Sequence, residues 1–243
     1  MEMDKVLLTG DNYTLVYNAL SFGTAVMLGA FVYFLTQVNS VAKAYRSGVA
    51  VSAVVVGIAG YHYYRIWSGF AEGHMNEGYR YADWLITVPL LVIELLIVLG
   101  VASDLRKKLM WRLVPATALM IGLGYPGEIS SDNGTKWLWW FLAMLPFVYI
   151  LWVLNGQLQE AGKRETGAVS SAIKKATAVL LITWCFYPIV YLFPVFDNSA
   201  EGISQGLEVA RQVGYTIADI TAKALYGLMI LGIAKARSAN DNS

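Results

Sequence analysis

The most restrictive feature of this sequence is a series of long stretches that contain no lysine, arginine, aspartate or glutamate. Three of them are unambiguous: residues 12–42, 137–159 and 176–196. A helix needs roughly 20 predominantly apolar residues to cross about 30 Å of hydrocarbon, so each stretch can span a bilayer. The composition agrees, because 57% of the residues are hydrophobic and only 14% are charged, whereas soluble domains carry about 25% charged residues. The sequence therefore predicts a membrane protein.

Four further stretches bring the number of predicted spans to seven. Residues 47–64 are slightly short but continue through Arg65, since an arginine near the interface can extend its head group into water. Residues 113–127 are shorter still, and we interpret them as part of a span that begins near Leu109. The other two spans hold charged residues near their middle. The expected fold class is an all-α membrane protein, a seven-transmembrane-helix bundle.

Neither an internal repeat nor a polar linker divides the chain, so we expect one domain over residues 1–243. It has a short polar N-terminal segment, residues 1–11, and a polar tail from about residue 238. The first apolar run is too long for a signal peptide, so we interpret it as the first span. Cys185 is the only cysteine, which excludes a disulfide scaffold.

The distribution of basic residues predicts the orientation of the bundle. Lysine and arginine concentrate after the first, third and fifth spans and at the C-terminal flank, while the opposite side is mostly acidic. Because cytoplasmic loops are enriched in these two residues, we expect the N-terminus outside and the C-terminus in the cytoplasm of a plasma-membrane protein. The net charge of +1 gives no sign of nucleic-acid binding. The basic residues of the inner side are Lys43, Arg46, Arg106, Lys107, Lys108, Arg112, Lys163, Arg164, Lys174, Lys175, Lys235 and Arg237.

Ionisable residues inside a membrane are costly and indicate a functional site. Asp83, Thr87 and Glu94 share one face of the third span, with Asp83 and Glu94 about 16 Å apart along the helix axis. In the seventh span, Asp219 and Lys223 lie one turn apart. A desolvated lysine is nucleophilic toward carbonyls and can form a Schiff base. A structural ion pair is the alternative for Asp219 and Lys223, but the two carboxylates of the third span favour a functional site.

Aromatic residues within the spans are a second indication of a site. Several lie at mid-depth, whereas interfacial belts place tryptophan and tyrosine at the ends of spans. They are compatible with an ordinary bundle core and with the walls of a long, planar, apolar ligand. His62 and His74 do not make a convincing metal site. The aromatic residues in question are Trp84, Trp139, Trp140, Trp184, Tyr187 and Tyr191.

Three motifs together resemble the microbial (type 1) rhodopsins, especially the proteorhodopsin and xanthorhodopsin branch. They are RYADWLITVPLLVIELL at residues 80–96, WxxYP at 184–188 and DxxxK at 219–223. The resemblance covers essentially the whole chain, with seven spans in order. It implies a light-driven outward proton pump, rather than an enzyme, that holds all-trans retinal as a protonated Schiff base on Lys223.

The resemblance also assigns roles to the charged residues. Asp83 matches the primary counterion and proton acceptor, and Asp219 the second counterion. Glu94 matches the cytoplasmic proton donor, and its apolar neighbours agree with a carboxyl group that is protonated at rest. Three further residues match family positions around the acceptor: Arg80 one turn outward, Thr87 one turn inward, and His62 in contact with it.

Other residues match the family's retinal pocket. Leu91 matches the position at which leucine accompanies green absorption and glutamine accompanies blue. Trp140 stands where carotenoid-binding members have glycine, so a carotenoid antenna is not expected. The remaining pocket positions are Trp84, Met120, Gly124, Trp184, Tyr187, Pro188 and Tyr191.

Some properties differ from the family pattern or stay open. Archaeal pumps use two extracellular carboxylates for proton release, but one position is Arg211 here, which leaves Glu201 without its partner. Rings of five or six subunits are expected by analogy alone. The alternative function is a photosensor that signals through a partner protein, but sensors commonly lack a carboxylic donor at the position of Glu94. Without the resemblance, Asp219 and Lys223 would suggest an ion-coupled transporter.

Overall fold

A computed structural model describes residues 4–5, 8–197 and 203–241, which form a bundle of seven helical spans. The seventh span consists of two α-helices joined by a π-helical turn, Ile220–Leu225. Two short strands, β1 (Asp4–Lys5) and β2 (His74–Met75), pair antiparallel. The α-helices are α1 (Gly10–Gln37), α2 (Arg46–Ala71), α3 (Gly78–Val98), α4 (Ser103–Glu128), α5 (Asn133–Arg164), α6 (Gly167–Tyr191), α7 (Gln205–Asp219) and α8 (Tyr226–Asp241). This architecture confirms the predicted fold class.

Six of the spans within the described residues are long and apolar enough to cross a membrane, and α4 is the exception. Its first two turns contain Arg106, Lys107 and Lys108, which lower its hydropathy. The helix is nevertheless 26 residues long and packs against both α3 and α5. The helix therefore begins before Leu109, the predicted start of the span. It starts at Ser103 and includes the basic residues that precede its apolar part.

The sixth span is also displaced from its predicted limits. The charge-free stretch covers residues 176–196, whereas α6 begins at Gly167 and ends at Tyr191. The exposed Lys174 and Lys175 lie within the helix, so its first turns precede the apolar stretch. After Tyr191 the chain turns into a short 3-10 helix, Phe193–Phe196, which contains Pro194.

Apolar side chains cover the outside of the bundle as well as its interior. Leu95 and Ile233 are fully buried between helices, whereas Trp152 and Ile182 are 71% and 73% exposed. Large apolar side chains on an outer surface are unfavourable in water but suit contact with lipid tails. The bundle is therefore built to be surrounded by a bilayer.

The C-terminal end of α3 is closed by arginines from distant helices. Arg237 of α8 donates to the carbonyl oxygen of Val98 at 3.1 Å, and Arg164 of α5 donates to that of Leu99 at 3.1 Å. The last carbonyl groups of a helix lack donors within the helix, and cations are favourable at this end. Gly100 then turns the chain with a φ of +62°, which favours glycine.

The seventh span lies against several helices and thereby brings Lys223 into the bundle. Its π-helical turn contacts α1, α2 and α6, while α8 contacts α2, α3 and α6. Lys223 lies within this turn and is 2% exposed. A π-helical turn is rare and occurs frequently at functional sites. Lys223 therefore lies at an irregular point of the seventh span.

Candidate functional site

A cavity lies among α3, α4, α5, α6 and the seventh span, and its lining is mostly aromatic and aliphatic. Small-molecule sites are typically concave and lined in this way. All ten residues that the sequence assigned to cofactor binding line this cavity: Trp84, Leu91, Met120, Gly124, Trp140, Trp184, Tyr187, Pro188, Tyr191 and Lys223. Eight further residues complete the lining: Tyr81, Val88, Ile121, Ala143, Met144, Phe147, Tyr215 and Ala222.

Helical periodicity could have identified part of the missed lining. Along α3, Tyr81, Trp84, Val88 and Leu91 follow one another at spacings of three, four and three residues, which keeps them on one face. The sequence interpretation named only Trp84 and Leu91 of this set. Trp139 is not among the lining residues, so it does not share the role of its neighbour Trp140.

The amine of Lys223 lies between two buried carboxylates. Its Nζ atom donates to Oδ2 of Asp83 and lies 2.7 Å from Oδ1 of Asp219. Asp83 is 1% and Asp219 is 0% exposed. One cation and two anions in an apolar surrounding form a tightly coupled group. This geometry brings together residues from the third and seventh spans, as the sequence predicted.

Asp219 is held by several donors besides Lys223. Its Oδ1 accepts from Trp84 Nε1 at 3.0 Å and from the Tyr187 hydroxyl at 2.8 Å. Its Oδ2 accepts from the Tyr63 hydroxyl at 2.9 Å. Sequence reasoning missed Tyr63, because no spacing in the sequence indicates a contact between the second and seventh spans. These donors fix the carboxylate and stabilise its negative charge.

Arg80 connects this group with the end of the bundle at which α3 begins. Its Nη1 lies 3.8 Å from Oδ2 of Asp219 and 3.3 Å from the Tyr63 hydroxyl. Its Nε donates to Oε2 of Glu77 at 3.1 Å, and its Nη2 to Oε1 of Gln212 at 2.7 Å. The guanidinium therefore balances the surplus negative charge beside Lys223.

Thr87 and His62 lie near Asp83 without a side-chain hydrogen bond to its carboxylate. The Thr87 hydroxyl donates to the main-chain carbonyl oxygen of Asp83 at 2.9 Å. His62 Nδ1 is 4.0 Å from Oδ1 of Asp83 and 3.0 Å from the carbonyl oxygen of Ile58. Asp83 Oδ1 has no hydrogen-bond partner among the described residues. The predicted contact of His62 with Asp83 is thus a close approach rather than a hydrogen bond.

Glu94 lies apart from this group. It is fully buried, and neither carboxyl oxygen has a hydrogen-bond partner in the described ranges. Its position on α3 is about 16 Å from Asp83 along the helix, toward the end closed by Arg237 and Arg164. A carboxyl group in such surroundings is better accommodated neutral than charged. The structure therefore keeps Glu94 inside the same bundle but away from Lys223.

Together, these residues can hold and move a proton. A lysine amine facing an aromatic cavity can form an imine with an apolar aldehyde. The adjacent carboxylates favour the charged form of the resulting nitrogen and offer a place for its proton. Arg80 and Glu94 lie on opposite sides of this centre along the span.

Comparisons with known proteins identify the family. Residues 15–236 match the family model of bacteriorhodopsin-like proteins. The chain is 30% identical over 228 residues to a green-light absorbing proteorhodopsin from Gamma-proteobacterium EBAC31A08, with 92% of this chain and 89% of that protein covered. It is 31% identical over 221 residues to archaerhodopsin-3 of Halorubrum sodomense, covering 87% and 82% of the two chains.

A solved structure shows the same relationship. The crystal structure of xanthorhodopsin, described as a light-driven ion pump with dual chromophore, aligns with a TM-score of 0.90 and 44% identity over 99% of both chains. The family model matches part or all of each of the seven spans and includes every residue that lines the cavity. The chain therefore belongs to the bacteriorhodopsin-like family and is a microbial rhodopsin.

Proposed function

We propose that this chain is a light-driven outward proton pump that carries all-trans retinal on Lys223. The observation that carries the proposal is the position of Lys223 Nζ between Asp83 and Asp219, at a cavity lined by aromatic and aliphatic side chains. Attached to Nζ as a protonated Schiff base, retinal would supply light absorption and photoisomerisation. The residues of this chain would then bind it and move the proton.

The cavity suits a long, planar, apolar group. Trp84, Trp140, Trp184 and Tyr187 supply flat surfaces, and aromatic faces pack well against a polyene. Lys223 is the only lysine or arginine among the lining residues, so a single covalent attachment point is available within the cavity. These features support retinal as the cofactor.

The two carboxylates differ in their ability to accept the proton of Nζ. Asp219 receives hydrogen bonds from Trp84, Tyr187 and Tyr63, which stabilise its negative charge. From the residues that the structure describes, Oδ1 of Asp83 receives no hydrogen bond. Protonation therefore costs less at Asp83, and we assign it as the acceptor, with Asp219 as the lasting counterion.

The direction of transport follows from the arrangement of donor and acceptor. Glu94 lies toward the end of the bundle that carries Arg237, Arg164 and most other basic residues, which we assign to the cytoplasm. Asp83 is nearer the opposite end, where Arg80 leads outward. A proton that leaves Nζ toward Asp83 and is replaced from Glu94 moves outward.

Illuminated cells that express the protein with added retinal should acidify an unbuffered medium, because each cycle delivers a proton outside. A protonophore should abolish the signal, as a pH electrode can record. Asp83→Asn, expressed to the same level, should give no acidification. Alkalinisation enhanced by a protonophore would contradict the proposal, and a coloured protein without any pH change would favour the photosensor.

The remaining expectations extend the same proposal. We assign residues 1–243 to one domain in the plasma membrane, with the N-terminus outside, and infer a homo-oligomeric ring by analogy.

No carotenoid is expected, since Trp140 lines the cavity and its indole nitrogen donates to the carbonyl oxygen of Pro188 at 3.0 Å. That bond holds the indole at the α5–α6 side of the cavity.

Leu91→Gln should shift the absorption band to shorter wavelength without loss of the cofactor. Leu91 lines the cavity and is 3% exposed, so a polar amide there would lie beside the polyene. Excitation moves positive charge away from the imine, and a dipole near the imine alters the gap between ground and excited states. Absorption spectra of wild type, Leu91→Gln and the apolar control Leu91→Met measure the effect. A red shift, or an equal shift in both variants, would show that polarity at this position does not set the colour.

A further inference from the structure

Tyr226, the first residue of α8, carries a buried hydroxyl that the mechanism above does not use. The residue is 1% exposed and belongs to the apolar core between the helices. Its hydroxyl has no hydrogen-bond partner among the residues that the structure describes. A buried hydroxyl without a partner costs free energy, so its presence calls for an explanation other than stability.

Tyr226 lies on the side of Lys223 from which the proton returns. Arg237 of α8 donates to the carbonyl oxygen of Val98, so the C-terminal parts of α3 and α8 reach the same end of the bundle. Tyr226 follows Lys223 by three residues toward that end, and Glu94 lies one turn before Val98. A proton that passes from Glu94 to Lys223 Nζ therefore crosses the part of the bundle that holds Tyr226.

Tyr226 and Glu94 are neighbours in this part of the bundle. Their helices pack against each other, and the residues that flank Glu94 on α3 belong to the same apolar cluster as Tyr226, namely Val92, Leu95 and Leu96. The hydroxyl is close enough to the carboxyl group for a charge on Glu94 to act on it. In apolar surroundings such an interaction is strong, because little solvent screens it.

Glu94 needs a hydrogen-bond donor once it has lost its proton. Neither of its carboxyl oxygens has a partner within the described ranges, and a buried carboxylate without one is strongly unfavourable. Ser52 of α2 also borders Glu94, but its hydroxyl donates to the carbonyl oxygen of Gly48 at 3.5 Å. Of these two hydroxyls beside Glu94, only that of Tyr226 has no acceptor of its own in the described part of the chain.

We propose that Tyr226 is a positioning residue for the proton donor, whose hydroxyl donates a hydrogen bond to the Glu94 carboxylate that forms when the proton passes to Lys223 Nζ. The O–H bond of Glu94 breaks and an N–H bond forms at Nζ, while the O–H bond of Tyr226 stays intact. The new hydrogen bond stabilises the charge that develops on Glu94 and thereby lowers the barrier to the transfer. The inference rests on the proposed function.

Tyr226→Phe tests this role by removing a single oxygen atom. After a light flash on the purified, retinal-loaded protein, return of the proton to Lys223 Nζ should be slowed by about tenfold, because a charged acceptor loses one hydrogen bond. Transfer of the proton from Nζ to Asp83 should keep its wild-type rate. Flash-induced absorbance changes resolve both steps. Tyr33→Phe, which removes an exposed hydroxyl from α1, should leave both rates unchanged.

A double variant distinguishes this role from a structural one. If the hydroxyl acts through Glu94, adding Tyr226→Phe to Glu94→Gln should change the return rate by less than about twofold, since the donor is already absent. The melting temperature of Tyr226→Phe should equal or exceed that of wild type, because the hydroxyl loses no hydrogen bond to any described residue. Similar slowing in both backgrounds, or a lower melting temperature, would show a packing role and overturn the proposal.

The two proposals fail in different ways. Return of the proton at the wild-type rate in Tyr226→Phe would overturn the role of Tyr226 and leave the pump intact. Absence of any light-induced proton loss from Lys223 Nζ in wild type would instead overturn the proposed function.

Discussion

Lys223→Ala should give a protein that stays colourless when all-trans retinal is added, because Lys223 Nζ is the proposed attachment point in the cavity. The expected effect is complete loss of the visible band in absorbance measurements on purified protein. Lys175→Ala removes an exposed lysine from α6 and should leave the band unchanged. A visible band in Lys223→Ala without added amine would refute the attachment.

The same variant leaves Asp83 and Asp219 without their cation, and uncompensated buried charges destabilise a protein by about 3–5 kcal/mol. Loss of colour could then reflect unfolding. A small alkyl amine supplied together with retinal distinguishes the cases, since a folded cavity would recover absorbance. Recovered colour would show that the variant is folded and lacks only the amine. A loss of helix content, measured by circular dichroism, would show that the variant is unfolded.

Glu94→Gln should slow return of the proton to Lys223 Nζ by about 10²-fold or more, because a positioned proton donor contributes roughly 10²–10⁴-fold to such a step. Transfer from Nζ to Asp83 should keep its rate, since Glu94 lies about 16 Å away along α3. Flash-induced absorbance changes resolve both steps. Azide, a small diffusible acid, should restore part of the return rate.

Glu160→Gln is a suitable control for this measurement. Glu160 lies near the C-terminal end of α5 and is exposed, so its removal should leave both steps unchanged. A return rate in Glu94→Gln equal to that of wild type would assign reprotonation to a different group. The buried position of Glu94, without a hydrogen-bond partner in the described residues, would then need another explanation.

The spans and the charged centre could be predicted because each leaves a local trace in the sequence. Long charge-free stretches located the helices, and the four-residue spacing of Asp219 and Lys223 placed both on one face. The limits of α4 and α6 could not be predicted in this way. The N-terminal turns of both helices contain basic residues, which are tolerated because they lie outside the apolar part of the span.

Contacts between helices that are far apart in the sequence leave no local pattern in it. The bond from Tyr63 to Asp219 joins residues 156 positions apart, and the bond from Arg211 to Glu128 joins residues 83 positions apart. Both depend on how complete helices pack, which one sequence does not encode locally. In the sequence, Arg211 indicated only that one of the two carboxylates used for proton release by archaeal pumps is missing here. In the structure it holds three carboxylates, one of which, Glu128, was not predicted, and Glu201 lies outside the described residues.

The π-helical turn at Ile220–Leu225 separates the packing of α8 from the spacing of the residues inside the turn. Such a turn accommodates one more residue than an α-helical turn does, and it absorbs that residue locally. Tyr226 and Ile230 of α8 therefore face the core as they would in a regular helix. Loss of one residue between Asp219 and Lys223 would close the bulge and leave α8 in place, but it would change the separation of these two side chains. Related genes that have one residue fewer in this turn should therefore keep the core of the bundle and differ at the charged centre.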